Sequence, residues 1–265
     1  MISAHNISFK AGTKFLVQNV NAEFEAGKLV AIMGPNGAGK TTLLKMLAGG
    51  QAASSGKIIF KGKELPLYTV EELAMHRGVL SQSYQINFPV TVQEIIMMGR
   101  YPYFQLKPGK HDWLVFNAIV KQLGIESFLK RDYNSLSGGE AQKVQLARVL
   151  SQVWEDEGQS GKVLFLDEPV SSLDIKYQHE ILGIARNYAN NNNAVIAVLH
   201  DINLALQYAD CIYFMKEGSV IYQHRHGEPL NLQLLQQVFD VAFKIIDEHS
   251  IHPFIVALTS ANSAK

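Results

Sequence analysis

The chain has 265 residues, 47% of them apolar and 18% charged, with 24 Lys plus Arg against 24 Asp plus Glu. That composition excludes a disordered chain, and zero formal net charge leaves no global basic field to hold nucleic acid or an anionic lipid surface. One Cys excludes an internal disulfide and fits a reducing compartment, while apolar runs such as Ala194 to Leu199 fall far short of the ~18 residues of a membrane helix. The opening MISAHNISFKAG shows neither the charged nor the apolar region of a secretory signal, so a cytosolic protein of one or two domains is expected. In chain order, the first stretch reads as short strands with polar turns, ending in the apolar run Leu29–Met33. A Gly-rich turn follows, then a helical pattern through Leu43, Leu44, Leu47 and Ala48 that Gly49 and Gly50 stop. Gly56–Phe60 reads as a strand, and from about Gln82 the pattern turns helical over Val92–Gly99, Trp113–Leu123 and Gly138–Trp154. Apolar runs return at Val163–Leu166 and Ala194–Leu199, the second preceded by the turn Asn190–Asn193, where Asn tolerates left-handed backbone. Runs this short and this apolar predict a sheet with helices on both faces. The expectation is an α/β core of two sequence segments with a helical insertion between them, and no internal repeat.

Gly34-Pro35-Asn36-Gly37-Ala38-Gly39-Lys40-Thr41 satisfies G-x-x-x-x-G-K-[ST] between a predicted strand and a predicted helix, the context a phosphate-binding loop requires. Glycines let backbone N–H groups converge on phosphate oxygens, and the helix start adds partial positive charge. Lys40 would bridge the β- and γ-phosphates, and the Thr41 hydroxyl would ligate Mg²⁺. At ordinary residue frequencies the pattern arises by chance in about one such chain per hundred. A nucleoside triphosphate is the expected ligand.

Val163–Leu166 runs directly into Asp167 and Glu168, and ligands of parallel sheets bind beyond the carboxyl ends of the strands. Asp167 suits Mg²⁺ held through water, and Glu168 could polarise an attacking water. Asp174 and His200 stand at further strand ends or loops. Leu136-Ser137-Gly138-Gly139-Glu140 opens a helix, and Ser137 with Glu140 fits a capping box. An ordinary helix start explains the cap but not two glycines, each of which weakens a helix by up to ~1 kcal/mol relative to Ala. Bare backbone N–H groups there would suit a second anion contact, offered to a γ-phosphate on another molecule.

GPNGAGKTT (Gly34 to Thr42), Gln82, LSGGE, VLFLDEP, SSLD and His200 occur in the order found in ABC-transporter ATPase subunits, which the chain resembles over nearly its whole length. The resemblance implies a P-loop NTPase with a RecA-like core and an antiparallel β subdomain over 1–82 and 157–265, and a helical subdomain over 83–156, all within one ABC ATPase domain. It implies ATP and Mg²⁺ as cofactors. It also implies a head-to-tail homodimer in which each ATP lies between the P-loop of one subunit and Ser137, Gly138, Gly139 and Glu140 of the other. In that family Gln82 senses Mg²⁺ and water and links to the membrane partner, His200 contacts the γ-phosphate, and Asp174 works across the dimer. An aromatic residue near the start stacks on adenine; Phe9 is the better positional match and Phe15 the reserve. Val170 departs from the usual Thr, at a position with no catalytic role attached.

Within the superfamily, Met98-Gly99-Arg100-Tyr101-Pro102 resembles importers of ferric siderophores, haem and cobalamin, and lies where the family docks its membrane subunit. The segment Val153–Gly161 resembles an insertion of haem-importer ATPases. The implied partners are two transmembrane permease subunits and, indirectly, a periplasmic cargo-binding protein, with this chain peripheral at the cytoplasmic face of the inner membrane. An ABC ATPase acting on nucleic acid would carry paired cassettes or basic extensions, neither visible here, so no nucleic acid partner is expected. His224-x-His226 and His249-x-x-His252 prompt a haem-ligating alternative but show no partner set.

Overall fold

Apolar side chains on alternate positions make a sheet of the amino-terminal segment: β1 (Ile2–Ala11) buries Ile2, Ala4 and Ile7, and β2 (Lys14–Phe24) buries Val17, Val20, Ala22 and Phe24. A computed structural model describes these and the elements below over residues 1–82, 86–154, 161–171, 173–246 and 254–258. β3 (Lys28–Met33) runs to the Gly-rich turn and α1 (Lys40–Leu47) leaves it. β4 (Ser55–Phe60) and the short β5 (Lys63–Glu64) complete an antiparallel sheet in the order β2-β1-β4-β5. Thr69 and Glu72 form a capping box that starts α2 (Val70–His76), which leads into β6 (Arg77–Leu80). Three helices follow: α3 (Val92–Met98), α4 (Lys110–Leu123) and α5 (Gly138–Gln152), the first and last opened by the boxes Thr91/Glu94 and Ser137/Glu140. β7 (Val163–Asp167), α6 (Ile175–Asn190), β8 (Ala194–Val198), α7 (Ile202–Tyr208), β9 (Cys211–Lys216) and β10 (Ser219–Arg225) then alternate. α8 (Leu232–Phe239) and the hairpin of β11 (Ala242–Ile245) with β12 (Ile255–Leu258) follow.

The central sheet has the order β10-β9-β3-β8-β7-β6, parallel except for the antiparallel edge strand β10. Its middle strands β3, β8 and β7 are apolar apart from Lys28 at the start of β3 and Asp167 at the end of β7, because both faces are covered. Leu29, Ala31, Met33, Leu164 and Leu166 face a cluster shared with α3 to α8; Val30, Ile32, Val163 and Phe165 face α1 and the antiparallel sheet. The two sheets and the helical layer thus form an α/β fold in which β3, β7 and β8 end together. Among the described residues no helix is long and apolar enough to cross a membrane.

One expectation changes in detail, and one motif shows a further structural role. The amino-terminal strands are long, ten and eleven residues, with bulges where Asn6 and Asn19 adopt φ of 49° and 48°; the bulges break the alternation that would reveal long strands. Within the Met98–Pro102 motif, Gly99 and Arg100 are buried, Met98 and Pro102 half-buried and Tyr101 exposed. A Cβ on Gly99 would lie 2.0 Å from the Arg148 carbonyl of α5, so only glycine fits. Arg100 is buried, pairs with buried Asp112 (Nε to Oδ1, 3.0 Å) and donates from Nη1 to the Ser151 carbonyl at 2.8 Å. The other Asp112 oxygen accepts the Gly109 N–H at 2.8 Å, which starts α4. The motif therefore staples α3, α4 and α5, while Tyr101 alone of its aromatic and charged side chains is well exposed. Asp112→Ala strands a buried guanidinium and should cost about 3–5 kcal/mol in chemical denaturation. A loss under about 1 kcal/mol, the range of exposed pairs, would show that Arg100 is not held by this contact.

Candidate active site

The turn after β3 folds around its own lysine. Lys40 is buried and donates from Nζ to the carbonyls of Gly34 (2.8 Å) and Pro35 (3.0 Å). Burial pushes its ammonium pKa down, with Glu168 and Asp167 pulling the other way. Gly34 and Gly39 have φ of 150° and 97°, and a Cβ on either would meet backbone, Met215 O at 2.1 Å and Leu16 O at 2.2 Å. Packing against β9 and β2 therefore demands glycine at both positions, before any phosphate is considered. Asn36 and Gly37 form the exposed tip, Ala38 is buried, and Thr41 and Thr42 are half-buried on α1.

The adjacent carboxylates part company. Asp167 ends β7 buried, and its Oδ1 accepts from Thr41 Oγ1 at 3.0 Å. Burial raises its pKa, the Thr41 hydroxyl opposes that, and the neighbouring Glu168 charge adds to it. Glu168 has φ of 53°, a left-handed backbone rare for a residue with a Cβ. That turn takes the chain out of the strand, so its side chain meets a different set of groups. Gln82 Nε2–H donates to Glu168 Oε2 at 2.9 Å, and His200 Nε2 lies 2.7 Å from Oε1. Both carboxylate oxygens are thus oriented, one from beyond β6 and one from beyond β8. Lys40, Thr41, Asp167, Glu168, Gln82 and His200 come together at one end of the sheet.

The second glycine pair opens α5, and Gly138 lines a pocket shared with Gln82. Ser137 caps α5; its Oγ donates to Glu140 Oε2 at 2.9 Å, and Arg131 Nη1 holds Glu140 Oε1 at 2.9 Å. The Ser137 N–H, the Ser137 hydroxyl and then Arg131 hold the Glu140 pKa below its usual value. A Cβ on Gly138 would meet nothing and one on Gly139 only Leu173 Cδ2 at 3.4 Å, so neither glycine is demanded by internal packing. Among the described residues, no hydrogen bond or ion pair joins Ser137, Gly138 or Gly139 to the Gly-rich loop, Asp167, Glu168 or His200. Asp174 is exposed and caps α6, accepting from the Tyr177 N–H at 3.0 Å. Phe9 is half-buried against the core, whereas Phe15 is exposed beside Leu16, with the Lys10 ammonium 5.4 Å from its ring centre. Val170 is buried among apolar side chains, which explains its tolerance of a methyl for a hydroxyl.

The sequence model of the family described as ABC transporter matches residues 17–171. The "Hemin import ATP-binding protein HmuV" of Rhodopseudomonas palustris (strain HaA2) is 40% identical over 96% of this chain and 96% of its own. This chain belongs to the ABC transporter family. It is an ATP-binding, ATP-hydrolysing cassette. The protein of the same name from Gloeobacter violaceus is 42% identical, over 83% of this chain and 80% of its own. Among solved structures, a chain of a transporter assigned to the metal-chelate ABC type, in an inward-facing conformation, aligns over 98% of both chains with a TM-score of 0.80 and 25% identity. A cassette seen as a dimer in a post-hydrolysis state with ADP and Pi aligns over 85% of this chain and 98% of its own, with a TM-score of 0.72 and 24% identity.

Two further contacts shape the site without being marked by the motifs. Arg131 orients Glu140, and Gln142 Nε2–H donates to the Pro169 carbonyl at 2.6 Å, tying α5 to the turn after Glu168. The i, i+4, i+7 spacing of Gly138, Gln142 and Gln145 was the available signal, since it puts all three on one helix face. The histidine pair does not gather ligands: His224 is buried beside Tyr222, burial lowers its pKa, and no group of three or more metal-ligating side chains occurs among the described residues. His249 and His252, Ser172 of the SSLD motif and residues 155–160 of the Val153–Gly161 insertion lie outside the described residues. Glu168→Gln should keep ATP binding and lose turnover by ~10²–10⁴, the usual worth of a positioned base. Wild-type hydrolysis in that variant would remove Glu168 from the role.

Proposed function

We propose that this chain is the ATPase subunit of a haem importer, working as a head-to-tail dimer beneath two transmembrane permease subunits that a periplasmic cargo-binding protein feeds. One domain would comprise a core of 1–82 and 157–265 and a helical unit of 83–156. The observation that carries the ATPase reading is the meeting of Lys40, Thr41, Asp167, Glu168, Gln82 and His200 at one sheet end. The cargo reading rests on relatives named for hemin import that align over most of the chain. On this reading the chain is peripheral, on the cytoplasmic face of the inner membrane.

Each residue then has a physical task. Lys40, already partly desolvated, exchanges two carbonyl partners for phosphate oxygens, and N–H groups of residues 34–42 take the rest. The donor set fits Mg²⁺: Asp167 is a buried carboxylate whose side-chain partner is a single hydroxyl, and both it and Thr41 offer the hard oxygen that Mg²⁺ prefers. Thr41, Asp167 and the Gln82 side chain would hold the ion, which supplies charge neutralisation for the phosphates. Glu168 accepts a proton from the attacking water, oriented by Gln82 and His200, and His200 also contacts the γ-phosphate. Ser137, Gly138, Gly139 and Glu140 form the far wall of the partner's site; glycines that their own chain does not need leave room for it. Asp174, exposed on α6, works across the same interface. For adenine, the exposed ring of Phe15 beside Leu16 offers a freer stacking face than half-buried Phe9.

Cells deleted for this chain should fail to grow on haem as sole iron source and should grow normally on free iron. Normal growth on haem with lost uptake of a ferric siderophore or cobalamin would overturn the cargo and leave the ATPase in place.

A further inference from the structure

The helix that follows His200 is gripped from outside. Asp201 caps α7, its Oδ1 accepting the backbone N–H of Asn203 at 2.8 Å and of Leu204 at 3.1 Å. The Asn203 side chain then reaches the carboxy-terminal hairpin. Its Nδ2–H donates to the Ile255 carbonyl at 3.1 Å, and its Oδ1 accepts the Ile255 N–H at 2.9 Å. A carboxamide that takes both polar groups of one residue acts as a substitute strand partner and fixes orientation as well as distance. Ile255 is anchored on its other sides too: it pairs with Ile245 across the hairpin, and its side chain is buried in the helical-side core.

His200 needs such support. Its ring is 40% exposed, so packing alone does not hold it, yet its Nε2 must stay 2.7 Å from Glu168 Oε1. From behind, the Leu199 N–H donates to the Ile32 carbonyl at 3.2 Å and fixes the end of β8. From ahead, the restraint is the first turn of α7, and Asn203 ties that turn to β12.

We propose that Asn203 is a positioning residue for His200, clasping the hairpin of β11 and β12 to the first turn of α7 and so setting the angle at which His200 meets Glu168. The hairpin thereby becomes part of the hydrolytic machinery. The inference rests on the reading of His200 and Glu168 given above.

Steady-state ATP hydrolysis by the full chain tests it, with Asn203→Ala, His200→Ala, the double variant and a melting temperature for each. Asn203→Ala should lower kcat about tenfold, the scale of a slightly misplaced group, and leave the KM for ATP within about twofold because the P-loop is untouched. In the His200→Ala background the same substitution should change kcat by less than about twofold, since the two act as one unit. Asn203→Asp, isosteric and able to keep the Ile255 N–H but unable to donate to the Ile255 carbonyl, should show the same split and serves if the alanine variant folds poorly. An unchanged kcat in Asn203→Ala and Asn203→Asp beside an impaired His200→Ala would overturn the clasp alone. An equal loss with and without His200 would also overturn it. Wild-type turnover in His200→Ala would bring down the reading of His200, and this inference with it.

Discussion

Asn193, fully buried where β8 begins, ties together the starts of three neighbouring strands. Its carbonyl accepts the Gly27 N–H just before β3 at 2.7 Å, and its Oδ1 accepts the Lys162 N–H just before β7 at 2.8 Å. The Ala194 N–H beside it donates to the Lys162 carbonyl at 3.0 Å. Strands apolar on both faces have no polar face to set their register, so a slip would not be punished by exposing charge. The buried amide supplies that missing specification. From it the pairs Ile32 with Val198 and Asp167 with Val198 follow, and the strands end level. Glu168 and His200 are then one and two residues beyond the sheet, where they meet.

Charge at that level end is managed by burial as much as by pairing. Lys40 is depressed by desolvation and Asp167 raised by it, so each favours its neutral form more than it would in water. Each would therefore gain from an added counter-charge. Glu168 differs from them in having both carboxylate oxygens already oriented, by Gln82 and by His200. The left-handed backbone of Glu168 costs about 1–3 kcal/mol. In return, two consecutive carboxylates take separate tasks, one against Thr41 and one between Gln82 and His200.

Much of this was legible in the residues, for identifiable reasons. The Gly-rich loop carries its chemistry in contiguous residues, and β3, β7 and β8 announce themselves as short apolar runs flanked by turns. The ordered motifs then place Gln82, Glu168 and His200 in one site although 86 residues separate the first two. Other features depend on contacts that no local pattern encodes. Bulges at Asn6 and Asn19 disguise two long strands, and α2, α7 and the final hairpin are too short for a periodicity to emerge. Arg100 carries no local sign of burial, yet it is a buried staple because Asp112 and the Ser151 carbonyl meet it inside. Gly34 and Gly39 look like purely phosphate-binding glycines, but Met215 and Leu16 already require them.

Among the described residues, no hydrogen bond or ion pair links Ser137, Gly138 or Gly139 to the Gly-rich loop, Asp167, Glu168 or His200, although Gly138 lines a pocket beside Gln82. On the proposed reading, a second copy brings its Ser137, Gly138 and Gly139 to the ATP held by the Gly-rich loop of the first. Sedimentation equilibrium of Glu168→Gln protein at saturating ATP tests this most directly, beside Glu168→Gln combined with Ser137→Arg. A dimer is expected for the first and an ATP-binding monomer for the second, because the arginine fills the space that Ser137 and the two glycines leave for the partner. Monomers in both cases, or a dimer that forms equally well with Ser137→Arg, would contradict that reading.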